Sequence, residues 1–168
     1  RDGAQVFGHR VGHLAGAGYR HYLDNLNSPT ADIWQEIAAV IREYQPRVVG
    51  ISAKSQTFKS AVHVAKLAKH YDEKTVVIVG GPHPSMVGKE VLQHPEIDYG
   101  IMGEGERTIV EMLQAIEDGR SMNDIRGIVY RKDGQCIEHQ RRELIEDLDS
   151  LCFPHAFADQ ILHDGHAY

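Results

Sequence analysis

Three short stretches place polar or side-chain-free residues directly after apolar runs. They are Ser52-Ala53-Lys54-Ser55-Gln56-Thr57, Gly80-Gly81-Pro82-His83-Pro84 and Gly103-Glu104-Gly105-Glu106-Arg107. Ser52, Ser55, Gln56 and Thr57 supply neutral donors and acceptors. Gly80 and Gly81 remove side chains, so a flat or bulky group can approach the main chain. Glu104 and Glu106 stand where a helix begins, and the positive end of a helix favours carboxylates. Two carboxylates repel a phosphate, and neither GxGxxG nor GxxxxGK[ST] occurs in the chain. These loops suit a large ligand fringed with amide donors better than an anion.

Each feature also has a plainer explanation. A Gly-Gly pair after a strand often makes only a tight turn, and Ser52 can serve as a cap. Glu104 and Glu106 can be solvated acids of a first helical turn, and His83 between prolines can be an ordinary loop histidine. His9 and His13 have an i,i+4 spacing but no third ligand, and no HExxH occurs, so no metal site is expected.

The elements that must position these loops follow from periodicity. Arg47–Ser52, Thr75–Gly81 and the weaker Ile97–Gly103 are continuous apolar runs bounded by glycine or polar residues, as in parallel strands covered on both faces. Ile33, Ile37, Val40, Ile41 and Tyr44 share one helical face, with a start expected at Ser28-Pro29-Thr30 and an end before Pro46. Ala61, Val64, Ala65, Leu67, Ala68 and Tyr71 form a second such face, with Thr57 as its expected cap. A short helix is expected over Val87–Leu92. Ile109, Met112, Leu113 and Ile116 mark another that Gly119 ends.

This alternation predicts an α/β fold: a flavodoxin-like (Rossmann-like) parallel sheet flanked by helices. Ligands of such sheets bind outside the carboxyl ends of the strands, so the three loops would line one site. Gly18–Leu26 reads as a further strand. The first strand of the doubly wound order is expected upstream, with Ala4–Phe7 a poor substitute. Asp133-Gly134 between two strand-like runs in Gly127–His139 predicts a small C-terminal β-hairpin. An extended connector follows.

The chain has 168 residues, a formal charge of −6 and two cysteines, Cys136 and Cys152. No basic cluster suggests nucleic acid, no apolar run is long enough to span a bilayer, and no disulfide framework is visible. A reducing, cytoplasmic setting is expected. The start at Arg1 suggests a piece of a longer protein.

Taken in order, the motifs Val48-Val49-Gly50-Ile51-Ser52, Val77-Ile78-Val79-Gly80-Gly81-Pro82-His83, Gly103-Glu104-Gly105-Glu106, Gly127-Ile128-Val129-Tyr130-Arg131, and Asp147-Leu148-Asp149 with Phe153-Pro154 resemble the N-terminal cobalamin (B12)-binding domain of radical SAM enzymes. That family includes methyltransferases and the anaerobic magnesium-protoporphyrin IX monomethyl ester oxidative cyclase. The resemblance covers about Gly18 to Pro154. It implies that Ser52 and Gly80-Gly81 flank the slot for the cofactor's nucleotide tail, and that Glu104 and Glu106 accept hydrogen bonds from corrin amides. Ser55, Gln56, Thr57, His83, Gly103 and Gly105 complete the expected cofactor-binding set.

The DxHxxG motif, whose histidine is the lower cobalt ligand in mutase-like proteins, is absent. Base-off binding with water or an apolar side chain beneath cobalt is therefore expected. The cluster motif CxxxCxxC is absent too, so the [4Fe–4S] cluster and S-adenosylmethionine are expected only in the parent protein. The resemblance thus implies a cobalamin-binding domain over 1–120. A hairpin and linker over 121–168 would lead to a C-terminal radical SAM domain, and the 168-residue chain by itself would be catalytically inactive. The competing functions are a stand-alone Rossmann-like nucleotide- or sugar-phosphate-binding enzyme and a flavodoxin- or receiver-like interaction domain. The first lacks a phosphate loop. The second needs an acidic cluster where the strand ends offer Ser52 and Gly80.

Overall fold

The computed structural model describes residues 17–151, 162–163 and 166–167. Helices α1 (Ala17–Asn27) and α2 (Asp32–Tyr44) precede β1 (Val48–Ser52). A 3₁₀ turn, Ser55–Thr57, leads into α3 (Phe58–Tyr71) and then β2 (Val76–Gly80). Next come α4 (Pro82–Val87), a 3₁₀ segment (Gly88–Gln93), β3 (Tyr99–Ile101) and α5 (Glu106–Glu117). The hairpin β4 (Ile128–Lys132) and β5 (Gln135–Glu138) follows, and Leu162–His163 pairs with His166–Ala167 as the antiparallel strands β6 and β7.

Strands β1 to β5 form one five-stranded sheet in sequence order. β1, β2 and β3 run parallel, and β4 and β5 add to it antiparallel. The expected α/β sheet and its hairpin are both present, with the hairpin continuing the sheet. Asp133 (φ 50°) and Gly134 (φ 77°) both take positive φ, as a two-residue hairpin turn of matching twist requires.

The β2 run is apolar throughout because helices lie on both sheet faces. Val77, Val79 and Val129 pack with Ala61, Ala65 and Ala68 of α3, whose small side chains let the helix come close. Ile78, Ile101 and Ile128 on the other face pack with Met112 and Ala115 of α5. Burying each such large side chain stabilises the fold by about 1.5–3 kcal/mol.

Gly18–Leu26, expected as a strand, is instead within helix α1. Its half-buried Tyr22, Leu23 and Leu26 fall at helical spacing, and tertiary hydrogen bonds fix the helix. The Tyr22 hydroxyl donates to the Gln56 carbonyl (3.0 Å) and accepts from Ser60 Oγ (3.1 Å). Trp34 Nε1 donates to the Asn25 carbonyl at 2.7 Å, joining α2 to α1.

Three boundaries also differ. α2 begins at Asp32, because Ser28–Ala31 close a turn (Ala31 N–H to the Ser28 carbonyl, 3.1 Å) and Ala31 is extended. Thr57 Oγ1 bonds back to Lys54 rather than capping α3. Of the helix expected over Val87–Leu92, Val87 closes α4 and the backbone from Gly88 on is 3₁₀ rather than α, with positive φ at Gly88 (57°) ending α4. α4 itself starts on Pro82, whose fixed φ suits a first helical position. Ala4–Phe7, His9, His13, Cys152, Phe153 and Pro154 lie outside the described residues.

Candidate functional site

The parallel register brings the strand ends to one edge of the sheet: Ser52 pairs with Gly80, and Val79 with Gly100. On the sheet face that α5 packs against, an open groove runs beside that helix over the carboxyl ends of β1, β2 and β3. The groove has a volume of about 630 Å³. Ile78, Ile101 and Ile109 give it apolar walls, and Gly50, Ser52, Gly80 and Gly81 form its β1–β2 side. Gly103, Glu104, Gly105 and Glu106 close its upper β3 end.

The glycines there are not equivalent. A Cβ on Gly50 or Gly103 would meet no atom within 4 Å, and one on Gly80 would meet only Ile101 Cβ, at 3.9 Å. Bare main chain at these points therefore faces space rather than packed protein. Gly81 differs, with φ 94° and ψ −168°, a region essentially restricted to glycine. A Cβ there would lie 3.0 Å from the Ala53 carbonyl and 3.0 Å from Ser52 Oγ. The second glycine thus serves the close passage of two loops, while the first leaves room in the groove.

Main-chain bonds fix the β1 and β2 loops to each other. Ala53 N–H donates to the Gly80 carbonyl (2.9 Å), and His83 N–H donates to the Ala53 carbonyl (3.0 Å). Ser85, which stands in none of the sequence motifs, joins the β2 and β3 loops. Its hydroxyl donates to the Gly81 carbonyl and accepts from Gly103 N–H, both at 2.9 Å. The only hint was its position four residues after Gly81 in a helix begun by Pro82.

Ser55, Gln56, Thr57 and His83 gather beside the groove rather than along its walls. His83 Nδ1 lies 3.1 Å from Ser55 Oγ, and its ring sits 4.0 Å from that of Phe58. Burial lowers the His83 pKa below the ordinary histidine value, partly opposed by the Glu90 carboxylate. Glu104 accepts the Ile145 N–H at 2.5 Å, so it anchors the segment after the hairpin. Glu106 lies exposed in the first turn of α5. No cluster of three or more metal-ligating side chains occurs among the described residues.

The fold is an α/β domain with an open groove at the ends of its parallel strands. Residues 11–113 match the B12 binding domain family, and the chain belongs to it. It is a cobalamin-binding domain related to B12-dependent radical SAM methyltransferases and magnesium-protoporphyrin cyclases. An uncharacterized methyltransferase of Pyrococcus horikoshii is 34% identical over 122 residues, 72% of this chain and 27% of that protein. The anaerobic magnesium-protoporphyrin IX monomethyl ester cyclase of Rubrivivax gelatinosus is 28% identical over 148 residues, 84% of this chain and 26% of that one. The chain therefore spans about a quarter of the length of these relatives. In fold it is similar to the cobalamin-dependent S-adenosylmethionine radical enzyme OxsB, solved with aqua-cobalamin and S-adenosylmethionine bound. There the TM-score is 0.57 at 19% identity, over 66% of this chain and 16% of that one. No helix among the described residues is long and apolar enough to cross a membrane.

Proposed function

We propose that the groove takes the nucleotide tail of cobalamin, with the corrin ring over the ends of β1, β2 and β3. The carrying observation is the open main chain at Gly50, Gly80 and Gly103 above walls of Ile78, Ile101 and Ile109. A planar base fits between apolar walls where no Cβ intrudes. Ser52 offers its hydroxyl to the tail, and Gly81 holds the loop that frames the slot. Ser55, Gln56, Thr57 and His83 serve the corrin edge from the β1 and β2 side. Gly103, Glu104, Gly105 and Glu106 serve it from the β3 side, the carboxylates accepting from corrin amides. A tail held in the groove leaves cobalt in the base-off state.

Bound cobalamin supplies cobalt-centred group transfer; the protein supplies position and access. In this reading residues 1–120 form the cofactor-binding body, and 121–168 lead to a radical SAM domain of the parent protein. That domain would hold the [4Fe–4S] cluster and S-adenosylmethionine for methyl transfer or oxidative cyclisation. The test is incubation with hydroxocobalamin, desalting and a visible spectrum. Retained corrin absorbance in base-off form is expected. A colourless protein that instead gives calorimetric heat with nucleotides or sugar phosphates would overturn the assignment.

A further inference from the structure

We infer that Ser85 is a positioning residue that makes this site select corrinoids bearing a nucleotide tail; the inference rests on the groove reading above. The two sides of the slot are held differently. On the β1–β2 side, ladder pairing continues to Ser52 and Gly80, and two further main-chain bonds through Ala53 extend it. On the β2–β3 side the ladder reaches only Val79 and Gly100. Beyond that pair, the Ser85 hydroxyl spans from the Gly81 carbonyl to Gly103 N–H.

A hydroxyl can donate once while accepting, so one side chain bridges a carbonyl and an amide of two different loops. Neither Gly81 nor Gly103 has a side chain that could take over the link. Ser85 N–H also reaches the Gly81 carbonyl at 3.3 Å, so among the described residues the bond from Gly103 N–H to this oxygen is what ties the Gly80-Gly81 turn to the Gly103–Glu106 loop and sets the width of the slot. Ser85 is itself pinned from the other side, where Arg141 donates to its carbonyl at 2.6 Å. A corrin ring lying over the strand ends does not depend on slot width. A tail inserted between the loops does.

The test measures hydroxocobalamin and dicyanocobinamide, which lacks the nucleotide tail, by spectral titration of the wild-type chain, Ser85→Ala and Ser85→Thr. Melting curves of all three are recorded alongside. Ser85→Ala is expected to lose roughly five- to tenfold in cobalamin affinity, the effect of one hydrogen bond. Its cobinamide affinity should change less than about twofold on the same reasoning. Ser85→Thr, which keeps the hydroxyl, should restore the preference. An unchanged cobalamin-to-cobinamide ratio in Ser85→Ala, a parallel loss of both, or no rescue by threonine overturns the role of Ser85 alone. Failure of the wild-type chain to bind cobalamin overturns the groove reading with it.

Discussion

Alanine at Gly80 and at Gly81 should separate the two glycines cleanly. At Gly81 the new Cβ would sit 3.0 Å from the Ala53 carbonyl, 3.0 Å from Ser52 Oγ and 3.2 Å from Ala53 N. Two of those atoms are main chain, tied by the bonds to Gly80 and His83, so they cannot retreat cheaply. Holding a non-glycine residue at φ 94° and ψ −168° costs about 1–3 kcal/mol. Forcing extra volume into a packed contact costs about 1–3 kcal/mol more. A total near 3–4 kcal/mol lowers the melting temperature of a chain this size by roughly 6–16 °C.

At Gly80 the backbone is not in the positive-φ region, and the nearest atom to a new Cβ is Ile101 Cβ at 3.9 Å. That is ordinary contact. Gly80→Ala should hold stability or raise it by about 0.4–1 kcal/mol through the unfolded chain. The same methyl group projects beside the proposed tail. A clash of about 1–3 kcal/mol there weakens cobalamin binding roughly five- to hundredfold. The assay pairs thermal melts followed by circular dichroism with hydroxocobalamin titrations. A Gly81→Ala protein melting within about 2 °C of wild type, which is under 1 kcal/mol, refutes the close-passage argument. A Gly80→Ala protein that melts as low as Gly81→Ala refutes the division of labour.

Three further outcomes can be checked. Gly100→Ala places a Cβ 2.6 Å from Val129 Cγ2 and 2.9 Å from Val91 Cγ2. It should cost about 1–3 kcal/mol in urea unfolding, and adding Val91→Ala should recover part of that in a double-mutant cycle. His63 and His83 both have pKa values lowered chiefly by burial from the ordinary 6.5. The unfolded chain therefore binds protons first, so their contribution is complete above pH 6.5 and is lost as pH falls through 6.5 towards the folded values. Replacing both with glutamine should flatten the melting temperature against pH below 6.5, and an unchanged slope counts against this. Glu104→Ala frees the Ile145 N–H, and hydrogen exchange at that amide should quicken roughly ten- to hundredfold, as loss of a charged acceptor implies. Unaltered protection at Ile145 would show that Glu104 does not hold the strap.

Much of the sheet was legible because its signals are local. Val76–Val79 is apolar on both faces, and Asp133-Gly134 is short-range turn chemistry that needs no partner. Gly119, with φ 65°, ends α5 as its position after Ile116 implied. Gly18–Leu26 is helical rather than a strand, and a short mixed run of tyrosine, leucine and polar residues suits either state. Contacts far along the chain decided it, through Tyr22 to Gln56 and Ser60 and through Trp34 to Asn25. The loops that line the groove could be named from sequence, but the different duties of Gly80 and Gly81 could not. That distinction depends on where Ala53 lies, and Ala53 belongs to a neighbouring strand's loop.

The acidic loop shows how the border of the groove is built from distant sequence. Glu104, proposed above as a ligand contact, also accepts the Ile145 N–H through one carboxylate oxygen, and Ile145 is buried. Arg142 reaches Glu111 at 2.5 Å and the fully buried Thr108 at 3.2 Å, both on α5. Arg141 meets the Ser85 carbonyl. The segment after the hairpin is therefore bonded to the same turn and the same helix start that border the groove. A charged hydrogen bond in a partly buried setting is worth about 1.5–3 kcal/mol, more than a solvated surface pair. A shift of the Gly103–Glu106 loop would strain those bonds, and a pull on residues 141–145 would be felt at Glu104 and Ser85. The groove and residues 141–145 are thus mechanically one assembly, joined by side chains that no local motif announces.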